Sequence, residues 1–235
     1  DKDVIVVGSL SCDSNKDRGD RKEIVEKLIK QDPDLLFFAG DQSYDHTEHT
    51  AAWLLWGSRF RDVLKDRPVV TIPDDHDVGH GNLWGEGGIV ADSQAGDSGG
   101  YYYPAEYIRM LERCQTGHLP DPVDPGNVAQ GIGVYFTRLR VGGIDFAIVE
   151  DRKFKSGPKG KIPQMGPRPD HIREPGYDPK KIDLPGLQLL GDRQIKFLRA
   201  WGQDWAGAEM KAVLSQTAFC GAVHMHGSKE NRLLA

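Results

Sequence analysis

Cysteine is scarce in this sequence. Cys12, Cys114 and Cys220 make 3 in all, an odd count at widely separated positions, which argues against a disulfide framework and against a zinc site built from cysteine alone. One bridge is the most they could form. Long apolar runs are missing as well. Nothing approaches the ~20 residues that cross a bilayer, and the longest candidates, around Val4–Val7 and Leu35–Ala39, have the length of buried strands. Positive charge is not in excess, since 30 Lys+Arg stand against 35 Asp+Glu for a formal net charge of −5. Clustered cations dominate phosphate-backbone binding, so specific nucleic-acid binding is not expected. There is no internal repeat, and the opening Asp1-Lys2-Asp3 leads straight into a strand-like stretch instead of a leader segment. A mature chain whose leader had been removed reads the same way, so location stays open.

What is present suffices for a core: 38% of the 235 residues are hydrophobic, which suits one sizeable domain spanning residues 1–235. Apolar runs alternate with amphipathic stretches over Val4–Val7, Arg21–Lys30, Leu35–Ala39, Ala51–Leu64 and Val69–Ile72. That alternation predicts strand–helix–strand units, a largely parallel sheet and an α/β fold. Within Arg21–Lys30, Ile24, Val25, Leu28 and Ile29 share one helical face, and Asp32-Pro33 ends the helix. Farther along, the pattern predicts a helix over Pro104–Cys114 and two strands, Gly133–Val141 and Ile144–Val149, joined by a tight Gly142-Gly143 turn at an antiparallel edge or in a second sheet. A helix over Gly191–Trp205 and a last strand over Lys211–Phe219 follow. Two long loops, 79–100 and 152–190, are rich in Gly and charged residues, the second also in Pro, and the second, having no periodicity, reads as a lid or substrate-facing insertion. Its Lys153, Lys155, Lys159 and Lys161 would welcome a phosphate, although such a run usually reads as a solvated face. Acidic positions near Asp92 and Asp97 disfavour long polyanions.

Ligands of a parallel α/β sheet bind beyond the carboxyl ends of its strands, and here those ends are chemically alike. Strand one runs into Ser11-Cys12-Asp13, strand two into Gly40-Asp41-Gln42-Ser43-Tyr44-Asp45, strand three into Pro73-Asp74-Asp75-His76-Asp77, and the later strand pair into Glu150-Asp151-Arg152. Carboxylates crowded this densely repel one another unless a cation neutralises them. A metal site is the economical reading. Two cations ~3.5–4 Å apart could activate water and clamp the oxygens of an in-line phosphoryl displacement, with Arg152 gripping the phosphate through its bidentate fork. Taken singly, each residue has a plainer explanation. Asp41 could cap a helix, Cys12 could be an inert thiol, Tyr44 a core aromatic, His76 a satisfied histidine, and Asp13 and Asp45 turn residues. Their coincidence on one sheet edge outweighs those readings.

Together with Gly81-Asn82-Leu83-Trp84-Gly85-Glu86 and Leu190-Gly191-Asp192-Arg193-Gln194, these motifs resemble the alkaline phosphatase D (PhoD-like) branch of the calcineurin-like metallophosphoesterases. The similarity runs from about Val4 to Phe219. It implies a four-layer αββα sandwich with a metal centre between the sheets, and hydrolysis of phosphate mono- or diesters by a metal-bound hydroxide. By resemblance, Cys12, Asp41 and Tyr44 would bind ferric iron, Asp75 would lie at the metals, and a second divalent ion (calcium, zinc or manganese) would complete the pair. His76 would protonate the leaving oxygen, with Asn82 and Arg152 contacting phosphate. The implied partner is a small phosphate-ester substrate, and the implied location is extracytoplasmic, secreted or periplasmic. The family's fourth motif has a threonine between its aspartate and arginine, whereas this chain reads Glu150-Asp151-Arg152. A glycine-aspartate-x-histidine segment that the family carries downstream is not in this sequence, so the chain is expected either to be a fragment or to form a non-catalytic binding domain with an incomplete centre. His224 and His226 could supply late ligands but read first as a surface loop.

Overall fold

The computed structural model describes residues 3–13, 21–164, 166 and 178–217, with the backbone of Met225–His226 and Leu233–Leu234. Strand β1 (Val7–Leu10) leads through helix α1 (Lys22–Gln31) to β2 (Leu35–Phe38), and helix α2 (His49–Leu64) leads to β3 (Val69–Thr71). The three strands pair in parallel in the order β1-β2-β3, with Val7 opposite Leu35 and Leu36 opposite Val69. Parallel neighbours need a crossover, which the helices supply. β1 sits three residues later than the apolar run predicted. Val4 and Val6 are exposed, and the Val6 N–H is taken by the Asp34 carboxylate at 2.9 Å. Gly8 fits the ladder because a Cβ there would come within 2.9 Å of Leu36. The shift brings Ser11-Cys12-Asp13 directly to the strand tip.

A second three-stranded sheet follows helix α3 (Ala105–Thr116). It comprises β4 (Thr137–Val141), β5 (Ile144–Ile148) and β6 (Met210–Leu214), with helix α4 (Gly191–Gln203) preceding β6. β4 and β5 are antiparallel, whereas β5 and β6 are parallel. Gly142 and Gly143 turn the hairpin with φ of +55° and +80°, the mirror-image geometry that glycine adopts without strain. β4 starts later than predicted because its lead-in spends its N–H groups on carboxylates. Tyr135 N donates to Glu150 at 2.6 Å and Gly133 N to Glu112 at 2.9 Å. β6 ends earlier because Thr217 N turns to Asp151 at 3.1 Å.

Alternation along the central strands stacks these elements. Leu36 and Phe38 of β2 face Val25 and Leu28 of α1 and Trp56, Phe60 and Val63 of α2, while Leu35 and Phe37 meet Phe146 and Ile148 of β5. On the far side of β5, Ala147 packs with Phe136 and with Phe197 of α4. The packing order is helices, sheet, sheet, helix. One part of the helical expectation fails: Val25 and Leu28 are buried, but Ile24 and Ile29 stay 41% and 45% exposed. Met225–His226 forms a two-residue strand β7 against β8 (Leu233–Leu234), in place of the predicted loop; Cys220, His224 and the His226 side chain lie outside the described residues. Among the described residues no helix is long and apolar enough to cross a membrane.

Candidate metal centre

The strand tips are drawn together by backbone before any ligand side chain is considered. A Cβ on Gly40 would lie 2.3 Å from that of Asp74, so only glycine lets the β2 and β3 tips approach this closely. Cys12 N donates to Gly40 O at 3.2 Å and Asp13 N to Asp41 O at 2.9 Å. Cys12 and Asp41 both hold left-handed backbones, φ +62° and +60°, a conformation that costs a non-glycine residue about 1–3 kcal/mol and persists where the surroundings over-determine it. The chief restraint is Asp77, fully buried, whose carboxylate accepts from Asp41 N (2.7 Å), Ser43 N (2.9 Å) and Asp74 N (3.0 Å).

On this frame, the buried Asp41, Asp74 and Asp75 bring carboxylate oxygens within 4.8 Å of one another. Asp41 Oδ2 accepts from the Tyr44 hydroxyl at 2.9 Å and lies 3.6 Å from the Cys12 thiol, while Oδ1 accepts from His76 N at 3.1 Å. The ring of His76 stacks on Tyr44 with centroids 4.1 Å apart. Its Nδ1 is 3.0 Å from Nε2 of His46. Arg152 donates to Asn82 Oδ1 at 2.8 Å and to Asp74 Oδ2 at 3.4 Å. Its Nε is also 3.2 Å from Asp74 Oδ1, but out of line for a hydrogen bond, so that contact is purely Coulombic. The structure thus brings together Cys12, Asp41, Tyr44, Asp75, His76, Asn82 and Arg152. It adds Asp74, Asp77 and His46, which the sequence reading did not assign; the clue to Asp74 lay in the doubled acid of Asp74-Asp75.

The electrostatics describe a site short of positive charge. Burial, then the Asp75 charge, pushes the pKa of Asp41 above the ordinary carboxylate value. Asp74 is pushed well above the carboxylate range by burial and by Asp75, Asp41 and Asp151, which together outweigh Arg152. Asp77 is pushed up to about 7 by burial and by Asp41, and burial with the Asp41 charge holds the Tyr44 phenol in its neutral form. Asp74 Oδ1 and Asp151 Oδ1 are buried without a hydrogen-bond donor. Three converging carboxylates, a phenol and a thiol, with acceptor oxygens left over, fit a hard cation.

The described parts of the two long loops pair with each other; residues 165 and 167–177 of the second lie outside the described residues. Lys159 reaches Asp92 at 2.5 Å, Lys161 pairs with Glu86, and Lys159 N donates to Asp97 O at 2.9 Å. Lys159 and Lys161 keep exposed side chains while pairing with these acids, and Lys153 departs from that pattern. Lys153 is 3% exposed, 2.6 Å from Glu112 and 3.8 Å from Glu150. Its backbone oxygen and that of Arg152 accept from Gly87 and Gly85, both at 2.9 Å. From the other side, the buried Gln194 accepts from Glu150 N at 2.9 Å and donates back to Glu150 O at 2.8 Å. Leucine at position 194 would leave those groups unpaired, and is expected to cost about 1–3 kcal/mol, read as a lower denaturant midpoint at unchanged slope.

No family model matches the chain, and no curated protein matches it in sequence. Among solved structures, that of PhoD superimposes with a TM-score of 0.59 at 14% identity, covering 89% of this chain and 41% of that one. The chain therefore spans about two fifths of the length of the PhoD structure. At so low an identity the likeness speaks to architecture alone. Three parallel strands, a second three-stranded sheet and that superposition make this a mixed α/β protein with a PhoD-like fold.

Proposed function

We propose that the chain carries the metal centre of a phosphoesterase built as an αββα sandwich of the calcineurin-like type. The observation that supports this reading is the convergence of the exposed Cys12 and the half-buried Tyr44 on a buried cluster of Asp41, Asp74 and Asp75 that touches Arg152 and Asn82. Cys12, Asp41, Tyr44 and Asp75 are the ligands of ferric iron and a second divalent metal, calcium, zinc or manganese; thiolate, carboxylate and phenolate are anionic donors suited to a highly charged ion. The metals, when bound, neutralise the carboxylates and activate water.

The remaining roles belong to the chain. Arg152, already anchored on Asn82 and Asp74, presents its planar fork to the phosphoryl oxygens and balances charge as it builds up. Asn82 sets the angle of that fork. With Nδ1 engaged by His46, the Nε2 of His76 is the nitrogen that would carry a proton to the leaving oxygen. A small phosphate ester is the substrate.

Metal analysis of dialysed protein, paired with assays on an aryl phosphomonoester and an aryl phosphodiester, tests the proposal. Retained metal and hydrolysis of either ester are expected. Retained metal without turnover of either would make the chain a non-catalytic metal- and phosphoester-binding domain, and absence of both would defeat the reading. Iron-loaded protein is expected to show a visible charge-transfer band from the Tyr44 phenolate. Tyr44→Phe should abolish it; an unchanged spectrum would remove Tyr44 as a ligand.

A further inference from the structure

Beside the centre lies a cleft of about 540 Å³, most of whose walls the proposed chemistry does not use. Cys12, Tyr44 and His76 form its rim on the metal side. Ser11, Asp13, Arg21, Gln42 and His46 line it too, with Arg21 paired to Asp13, Gln42 bonded to Gln115 and His46 to His76; the other walls are apolar, with Leu10 from the end of β1, Ile24 from the first turn of α1, and Phe38 and Phe60 below. Phe38 and Phe60 are each 2% exposed and pack edge to face at 5.2 Å, so they back the floor as rigid core and present little of their own surface to the cleft. Ile24 stands out. It is an apolar residue left 41% exposed on a helix whose neighbouring Val25 is buried, and it overhangs the cleft.

The volume lies within the range of small-molecule sites and is many times the ~30 Å³ share of a single water, hence far more room than phosphoryl oxygens require. A charged or sugar-like group would find little to bond with along Leu10, Ile24, Phe38 and Phe60, and would leave water for apolar walls without compensation. An apolar group gains by the same transfer. We infer that this cleft is the subsite for the alcohol portion of the ester, and that the substrate class is phosphate esters of apolar, aryl or branched-alkyl alcohols. This inference rests on the proposed phosphoesterase reading for its phosphate end, while the cleft's own selectivity can be measured without turnover.

Phenylphosphonate and methylphosphonate, which carry no ester to cleave, separate the two questions. Titrated into metal-loaded protein, phenylphosphonate should bind at least about tenfold more tightly than methylphosphonate, a gap of about 1.4 kcal/mol. Ile24→Asp, a change at a partly exposed helix position, should collapse that ratio to about twofold or less, and Ile24→Leu should keep it. A melting curve on each variant establishes that it is folded. Equal affinities in the unsubstituted protein, a ratio insensitive to Ile24→Asp, or failure of both phosphonates to bind would overturn the subsite. If the ratio behaves as expected while no ester is hydrolysed, the subsite stands and the catalytic reading falls. If esters are hydrolysed but the ratio is near one, the reverse holds.

Discussion

Asp75→Asn is expected to strip the protein of metal and lower phosphoester turnover by at least about 10³-fold, roughly 4 kcal/mol of transition-state stabilisation, while making the metal-free chain more stable. The two effects share one cause. In the absence of a cation, the Asp75 charge helps to raise both Asp41 and Asp74, so its removal relieves repulsion and raises the metal-free melting temperature. With a cation present, the same carboxylate is an attractive ligand. The pH dependence carries the same signature. Asp41 and Asp74 are raised, and Asp77 and Glu150 are each pushed up to about 7, so the folded state binds more protons than the unfolded state at neutral pH. Stability without metal must then rise as pH falls from 8 toward about 6.5. Below that window His49, held down to about 4 by burial, and His80, also lowered by burial, oppose the trend, because the unfolded chain protonates them first. Melting temperatures in chelator between pH 6.5 and 8, compared with metal-replete protein, measure this directly. A metal-free melting temperature that climbs with pH across that window would contradict the charge-deficient centre, as would an Asp75→Asn variant that keeps its metal.

Much of this arrangement was legible in the chain because local pattern and tertiary need agree. Leu35–Phe38 is a strand by composition and, being buried on both faces, by packing; the acids that follow β2 and β3 were found by knowing that parallel strands deliver their ends to one edge. The failures share a physical origin, contacts between residues far apart in sequence. Val4–Val7 has the stronger strand composition, yet β1 begins at Val7 because Asp34 diverts the Val6 N–H and Gly8 suits close approach to Leu36. Lys153 belongs to a run that reads as solvated, but Glu112, 41 residues earlier on α3, draws it into the interior. Asp74 and Asp75 are equivalent to any rule of composition. Only the approach of Arg152, across 78 residues, shows that Asp74 joins the arginine to the carboxylate cluster.

That junction makes Arg152 the second position of large expected effect. Arg152→Ala should lower kcat/KM for phosphate esters by about 10²–10³-fold, the loss typical of one preorganised donor facing transition-state charge, and weaken inhibition by inorganic phosphate. Metal content should hold, because removing a cation 3.2 Å from Asp74 makes the cluster more negative and favours a bound ion. The backbone should hold as well, since Gly85 N bonds to the oxygen of residue 152 and not to its side chain. Lysine at 152 should recover no more than about tenfold, because a single ammonium cannot bridge Asn82 and Asp74 while offering two parallel donors to a phosphate. Asn82→Asp provides the complementary reading. A carboxylate there would bind the guanidinium more tightly and keep it from substrate, so activity should fall although the charge and position of Arg152 are unchanged. If Arg152 served only to stabilise the fold, Asn82→Asp would strengthen an ion pair and raise the melting temperature without affecting kcat. A fall in kcat alongside a steady or higher melting temperature therefore assigns the arginine to the phosphate, and steady kinetics assign it to structure.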